Sequence, residues 1–537
     1  MPGAQEIAAL LQELADRLAF AGENAWKVRA YREAAERIVD GMVDLRRPQA
    51  LEEAPGIGGK IAGKVRGMLA GEVPGSLLRL RAEQPQELSA LLRLPGIGPS
   101  TARKLFGAGI GTVRALEEQL LAGAALPAIS QGQRRHLLRA FAERRLGVPL
   151  PELLAATARL AQRVPGIEPA GALRRLDPTV PVPAWLAPES AQGRAEWCAL
   201  QPLTLPGGYV IGEESLAFVR EDAFGPALLC ATGPERFVQE VGEALAAQGL
   251  RLTPEGLWRG EERIPSPSEE EVFRHAGMEP VTPALRGIAP ALRAAAPQAV
   301  QGDLHTHSNW SDGAQDIATM AAAAVARGYR YLAVTDHSQG LTVANGLTPE
   351  RYRRQREEIR AVQRTLPAGF TLLQGCEVDI HPDGSLDLPD DLLRELDVVI
   401  ASVHGQFDQG AEQVTARLLR AVRHPLVTAI GHPGARKLGV RPAIAADWPR
   451  VFAAVRAEGT ALELNASPRR LDLDYRWLGE DGVRGLSFVI DTDAHSTEEL
   501  AYMPLGIAQA QKAGIAAKDV RNAGPVEQVL QRKRQRR

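Results

Sequence analysis

The sequence predicts a multidomain chain: an α-helical N-terminal region, a mixed α+β middle and a C-terminal α/β barrel-type domain. Three observations carry this. "APGIGGKIAGKV" (54–65) recurs 40 residues later as "LPGIGPSTARKL" (94–105), within a region of helical periodicity. Residues 151–288 mix strand-like and helical pieces. From residue 302 onward apolar strands alternate with amphipathic helices, the mark of a parallel α/β arrangement. At 537 residues the chain also exceeds what one ordinary core can organise.

The N-terminal helices come first. "AQEIAALLQELADRLAF" carries Ile7, Leu10, Leu11, Leu14 and Leu18 at helical spacing. In the repeated PGIG, Pro55 and Pro95 fix the entry to the turn, while Gly56, Gly58, Gly96 and Gly98 permit close backbone approach. A helix after such a turn aims free N–H groups at an anion, so a phosphate can sit there without any base being read. One PGIG could be an ordinary tight turn. Two copies with matching flanks, the first followed by Lys60, point to helix-hairpin-helix units on the DNA backbone, with a worn third copy at 126–138.

Bulk charge is less informative. The net charge is −2, although residues 1–160 hold 22 Lys and Arg against 17 Asp and Glu and the tail "QRKRQRR" is basic. Cys198, Cys230 and Cys376 share no CxxC spacing and suit a reducing cytoplasm. No signal-peptide pattern and no apolar run of 18 residues are present, so a soluble cytoplasmic chain without a membrane partner is expected.

In the middle region, "GYVIG", "LAFV" and "PALLCAT" read as strands and "PERFVQEVGEALAAQG" as a helix. The Ala- and Pro-rich "GIAPALRAAAPQAVQ" (287–301) reads as a linker.

The chemistry concentrates after residue 302. In "GDLHTHSNWSDG", His305 and His307 are two apart, so a strand would project both to one face, ready to share a metal ion. Other strand ends carry the same residue types: "YLAVTDHS" has Asp336 and His337, "TLLQGCEVDI" Glu377, "LDVVIASVHG" His404, "VTAIGHPG" His432 and "SFVIDTDAHS" Asp493 and His495. A seventh strand, "ALELNAS", ends in Asn465, which is not expected to be a ligand. In barrel folds the loops after the strands form one mouth, where distant residues converge. Mixed His nitrogen and carboxylate oxygen suits Mn²⁺, Zn²⁺ or Fe²⁺ rather than a thiolate or all-oxygen site. Nine candidates exceed the needs of one ion, so two or three divalent ions are expected, with a carboxylate bridging. Such clusters suit phosphoester hydrolysis. His381 and His424 fall outside the pattern and read as surface residues.

The motifs "HTH", "SDG", "DHS", "EVDI", "SVHG", "GHP" and "DTDAHS", in this order over 302–510, resemble the polymerase and histidinol phosphatase (PHP) domain. The resemblance implies a distorted seven-stranded barrel with a trinuclear site. His305, His307, Glu377 and Asp493 would hold one ion. Glu377 would bridge to a second held by His404 and His432, and Asp312, His337 and His495 would hold the third. Arg436, in "GHPGARKLG", matches a basic position expected to meet substrate phosphate. "ENAWKVRAYREAAERI" resembles the lyase-type N-terminal domain of family X DNA polymerases. That implies a 5′-phosphate contact for Lys27 and Tyr31, and a possible Schiff-base lyase role for Lys64. The whole chain resembles a bacterial family X DNA polymerase. Its expected domains are 1–85 and 86–150, each with one helix-hairpin-helix, a degenerate palm and thumb over 151–288, and the PHP domain over 302–520.

One departure matters. "GALRRLDPTVPVPAWLA" (171–187) aligns with that family's G-S-x-R-R stretch, and its two catalytic aspartates would fall at Val182 and Ala184, the third at Ser215. None of these side chains can hold Mg²⁺, and Pro181 and Pro183 break strand hydrogen bonding. Asp177 reads as a loop residue. Thumb-like sequence persists through "EGLWRGEERIPSPSEEEVFRHAGMEPVTPALRG". The expectation is a monomeric metal-dependent DNA phosphodiesterase for gapped, nicked or 3′-ended DNA, without sequence preference. It would act as a 3′→5′ exonuclease or process 3′ ends or abasic sites in repair, with an inactive polymerase site. The alternatives are a phosphatase for small phosphate esters, a DNA-end tether and a still-active gap-filling polymerase.

Overall fold

Helical spacing of apolar residues builds the first unit. Helices α1 (Ala4–Ala21) and α2 (Ala25–Val39) bury Ile7, Leu11, Leu14 and Leu18 against Val28, Tyr31, Ala35 and Ile38. Each buried Leu or Ile contributes about 1.5–3 kcal/mol. Helices α3 (Gly59–Leu69) and α4 (Pro99–Gly107) follow the two glycine loops, and a second core gathers Leu88, Leu91, Leu94, Ile97, Leu105 and Leu116. The computed structural model describes residues 4–535 except 40–42, 44, 46, 54–56, 86, 93, 95–96, 125, 127, 132, 135–136, 139–140, 142–146, 201–202, 206–208 and 479–483. The chain divides into two compact units. One comprises residues 1–145, 203–210 and 439–441, the other the remainder.

In the second unit, β1 (Glu168–Ala170) pairs antiparallel with β2 (Ala184–Pro188), which pairs parallel with β3 (Leu216–Val219). Next come α5 (Phe224–Thr232), α6 (Glu235–Ala246), a small antiparallel sheet over residues 251–264 and α7 (Glu269–Ala276). The stretch "PALLCAT", read as a strand from sequence, lies in α5. A short apolar run does not distinguish a buried strand from a buried helix, and here Leu228 and Leu229 are both enclosed. The expected linker is packed rather than free. It forms a short helix, Pro290–Ala295, Arg293 pairs with Glu240 at 2.8 Å, and Gln511 donates to the Pro297 carbonyl at 2.9 Å.

The C-terminal part is a distorted, nearly closed barrel. Its strands are β4 (Gly302–Thr306), β5 (Tyr331–Val334), β6 (Thr371–Asp379), β7 (Val398–Ser402), β8 (Ala429–Ile430), β9 (Ala461–Asn465) and β10 (Ser487–Asp491). All seven pair in parallel and in sequence order. The ring draws together where Thr306 bridges Ala494 and the His307 amide donates to the Ala494 carbonyl at 2.8 Å.

Alternate residues on each strand face the interior. At the strand starts these are apolar: Leu304, Tyr331, Ala333, Leu373, Val398, Ile400, Ala429, Ala461 and Val489 form one buried cluster, with Val529 of the C-terminal helix packed against it. Two to six residues further along the same faces come His337, Glu377, Asp379, His404, Glu463, Asn465, Asp491 and Asp493. The barrel is an oily plug under a polar mouth. Among the described residues no helix is long and apolar enough to cross a membrane.

Candidate metal centre

Past the register shift that β4 makes between Asp303 and Thr306, His305 and the following His307 both enter the mouth, with ring centroids 5.2 Å apart. His305 Nε2 lies 3.3 Å from Glu377 Oε2, and His307 Nε2 lies 3.2 Å from Asp493 Oδ1. On the other side of Glu377, His404 Nε2 and His432 Nε2 lie 3.1 and 2.8 Å from Oε1. Asp312 Oδ1 is 3.5 Å from both His337 and His495. The nine predicted ligands are therefore brought together. Three donor groups emerge within metal-binding reach: His305–His307–Glu377–Asp493, His307–Asp312–His337–His495 and His337–Glu377–His404. The grouping differs in detail from the expected one. His337 takes the place expected for His432 beside His404, reaching Glu377 Oε2 at 2.9 Å as well as Asp312. Glu377 belongs to two of the groups and touches His337 of the third, and His432 joins through Glu377 alone.

A divalent cluster fits these residues. His305 Nε2, His404 Nε2, His337 Nδ1 and Glu377 Oε2 are buried without a hydrogen-bond partner. Buried polar atoms are normally satisfied, and an uncompensated set costs several kcal/mol. Here the atoms converge on one another, as ligands of a cation do.

The electrostatics show the same crowding. Burial opposes charging of Glu377, but His404, His305 and His337 hold its carboxyl well below the usual range. Burial and the neighbouring His495 and His337 push His307 down to about 3. Against burial, Glu377 and Asp379 raise His404 to about 9. Burial likewise opposes Asp312 and His495, yet their mutual pairing sets them near 2 and 9.

Several supports were not singled out in the sequence. Glu463 Oε1 lies 2.6 Å from His305 Nδ1, its other oxygen takes the His432 amide, and Asp379 Oδ1 lies 2.7 Å from His404 Nδ1. These contacts fix the imidazole orientations. Asn465, which was not expected to be a ligand, touches both Glu463 and Asp493, at 3.1 and 3.2 Å. Asp336 accepts from Ser308, Ser311 and Gln355, tying down the loop that carries Asp312. Gly313 closes that loop: a Cβ there would fall 2.7 Å from the His307 backbone. The signal for Glu463 and Asp379 was available, because Glu463 stands two residues before Asn465 and Asp379 two after Glu377, on the same strand faces.

Arg436 requires correction. Its guanidinium is enclosed, with Nε donating to the Arg470 carbonyl at 2.8 Å, Nη2 to the Leu471 carbonyl and Nη1 paired with Asp474. With each of these donors engaged, the expected phosphate contact gives way to a loop-holding one. Arg470 instead reaches the cluster, its Nε 3.1 Å from Asp493 Oδ2. His381 and His424 lie outside it, near Asp387 and Asp390.

In the helical unit, Gly58 and Gly98 cap α3 and α4 with no side-chain cap bond, and a Cβ at either would meet nothing within 4 Å. Lys60 is exposed and Lys64 half-buried on α3. Lys27 is exposed and pairs with Glu23 at 3.0 Å, while Tyr31 is buried. Gly56 and Gly96 lie outside the described residues. In the palm-like sheet, Val182 is 76% exposed between its two prolines. Ala184 opens β2, and Ser215 directly precedes β3. Because Trp185 pairs with Leu216, Ala184 and Ser215 occupy neighbouring strand starts.

Four family models match the chain: a helix-hairpin-helix domain (2–73), a SAM-like helix-hairpin-helix tandem (88–127), a DNA polymerase beta thumb (227–287) and a PHP domain (303–467). The barrel part is similar to a probable phosphatase of Thermoanaerobacter sp. (strain X514), 27% identical over 44% of this chain and 96% of that protein. A probable phosphatase of Syntrophotalea carbinolica is 30% identical over 41% and 90%. The DNA polymerase/3′-5′ exonuclease PolX of Bacillus subtilis (strain 168) is 31% identical over 98% of both chains. Helix-hairpin-helix, thumb and PHP modules thus follow in one chain, matched nearly end to end by that Bacillus protein, and the chain belongs to the bacterial family X DNA polymerases that carry a C-terminal PHP domain.

Proposed function

We propose that this chain is a metal-dependent DNA phosphodiesterase that trims 3′ ends or abasic lesions in repair, with a polymerase site that no longer transfers nucleotides. The observation that carries the reading is the convergence of nine His, Asp and Glu side chains on one barrel mouth, with buried donor atoms left unpartnered. The 3′→5′ polarity is suggested by the activity in the name of the Bacillus relative.

Two or three divalent ions, Mn²⁺, Zn²⁺ or Fe²⁺, would be held by His305, His307, Asp312, His337, Glu377, His404, His432, Asp493 and His495. When bound they would supply charge neutralisation at phosphorus and a more acidic water. The chain's own part is orientation. Glu463 and Asp379 hold the imidazoles of His305 and His404, and Asp312 and His495, each about one-third exposed, leave the mouth open to substrate. The glycine loops and Lys60 would grip DNA by its backbone, delivering an end without reading sequence.

The palm is proposed to serve as scaffold. Val182, Ala184 and Ser215 offer no carboxylate. The arginines of "GALRRLD" are engaged internally, Arg174 with Glu269 at 2.8 Å and Arg175 with the Thr232 carbonyl and Asp177. Three free thiols suit a reducing cytoplasm.

The testing experiment supplies manganese and a gapped duplex labelled at its 3′ or 5′ end, with and without dNTPs. Stepwise loss from the 3′ end with no primer extension is expected. Extension that survives mutation of the barrel ligands would restore the polymerase. The small-ester reading draws support from the phosphatase relatives of the barrel alone. A sugar phosphate hydrolysed faster than a 3′-tailed duplex would favour it.

A further inference from the structure

One cation at the mouth has no part in the reading above. Arg470 follows β9, and its side chain is 14% exposed. Nε lies against Asp493 Oδ2, the oxygen Asn465 also touches, while Oδ1 of the same carboxylate faces His307 at 3.2 Å and His305 at 3.6 Å. Among the described residues nothing takes up Nη1 or Nη2. One edge of the guanidinium is anchored on a metal-type carboxylate and the other is free.

The loop is built to keep it so. The Arg470 amide donates to the Ser467 carbonyl at 2.8 Å, and the carbonyls of Arg470 and Leu471 are held by Arg436. Leu471 has φ +43°, a left-handed conformation disfavoured for leucine, so these bonds rather than local preference set the turn. Charge arithmetic indicates what the free edge is for. Neutralising Asp493 does not require an arginine once a dication shares that carboxylate. Three dications together with Arg470 would outweigh the carboxylates of Asp312, Glu377 and Asp493 and those of Glu463 and Asp379 behind the imidazoles, and that surplus of fixed positive charge is favourable where an anion completes the set. A guanidinium cannot shed its proton to relieve the repulsion, and its planar fork matches phosphoryl oxygens.

We propose that Arg470 grips a non-bridging oxygen of the phosphate bound at this centre, and that Arg436 positions the loop carrying it. The ligand class is a phosphate ester or inorganic phosphate. The proposal rests on the phosphoester reading of the barrel mouth but not on DNA as substrate.

The experiment uses the full chain loaded with manganese: wild type, Arg470→Ala, Arg470→Lys and the exposed neighbour variant Arg469→Ala as control. Ion content is measured by mass spectrometry, inorganic-phosphate affinity by calorimetry, folding by thermal melting and turnover on 3′-labelled DNA. Arg470→Ala is expected to keep its ions and melting temperature, to bind phosphate at least about tenfold more weakly and to lose on the order of 10²-fold in kcat. Arg470→Lys should recover part of both. Loss of ions together with phosphate binding would overturn the proposal, since Arg470 would then only hold Asp493. Phosphate affinity unchanged in Arg470→Ala would overturn it equally. A wild type that binds phosphate through Arg470 yet leaves DNA uncut would uphold this proposal and remove the nuclease reading.

Discussion

The barrel mouth and the palm-like sheet are both made where parallel strands present their ends, and they treat polar side chains in opposite ways. At the mouth, His305, His337, Glu377 and His404 leave buried atoms unsatisfied and aimed at one another. Beside that sheet, where the palm meets the thumb-matching residues, the charges close on themselves. Arg286 grips Glu269 through two bonds of 2.8 and 2.7 Å, and Arg174 joins the same carboxylate. A buried donor set that cannot satisfy itself is organised around a ligand, whereas one that satisfies itself is organised for packing. Under the proposed function, the family's two-headed design would survive in this chain with one head chemically equipped and the other turned to architecture.

Glu377 is where that contrast breaks most easily. It touches every donor group, so Glu377→Ala should lower exonuclease kcat on the order of 10³-fold or more and reduce bound ions, with DNA affinity little changed. Ion counting and a gel-shift assay on the same preparation check this. Retained activity would make the cluster structural and erase the distinction.

The next effect falls on stability, where palm and barrel meet. Asp177 pairs with Lys512 of the barrel, and Tyr475 donates to it at 3.3 Å. Removing one partner of a buried pair costs about 3–5 kcal/mol, whereas an apolar replacement of similar shape is often neutral. Asp177→Ala should therefore lower Tm clearly, and the paired replacement Asp177→Leu with Lys512→Met should lower it less. Burial pushes Lys512 from its ordinary 10.5 down to about 8 in spite of Asp177. Between those values the unfolded chain keeps a proton that the folded chain has released, so this lysine makes stability rise with pH from about 8 to 10.5. Thermal melts across that window should show the rise in wild type and its loss in Lys512→Met.

A smaller effect belongs to the supports. Glu463→Gln and Asp379→Asn leave all nine ligands in place and should weaken metal affinity about 10- to 100-fold, read by competition with a chelator. An unchanged affinity would show that the imidazoles are oriented by packing alone.

Those supports also mark how far the sequence could be read. The nine candidate ligands were visible because histidines are scarce and fell at strand ends, where a barrel must converge. Glu463 and Asp379 carried the same inward period of two. They passed as ordinary charges because an acidic residue is common and only the register shows which face it occupies. Arg436 was expected at substrate phosphate from its match to a basic position of the resembled family, yet a guanidinium several bonds long is placed by its loop, and this one turns to the carbonyls of Arg470 and Leu471. The misread "PALLCAT" is the backbone counterpart: a run this short and this apolar contains no period that separates strand from helix. The expectation of an altered palm rests on residue identity alone, since Val182, Ala184 and Ser215 carry no carboxylate whatever their geometry.

The smallest expected effect tests whether the helical unit only holds DNA. Lys60 sits exposed in the first turn of α3, beside the capping Gly58, whose side is open to any approaching phosphate. If it contacts one backbone phosphate, Lys60→Ala should reduce the slope of log affinity against log salt by about 1 and weaken binding uniformly across sequences. Because that contact lies outside the barrel, cleavage at saturating DNA should not change. A filter-binding titration at several salt concentrations, paired with single-turnover cleavage, separates the two quantities. A lowered single-turnover rate would mean that the glycine-loop helices also align the scissile bond, and that the equipped head of this chain extends beyond its barrel.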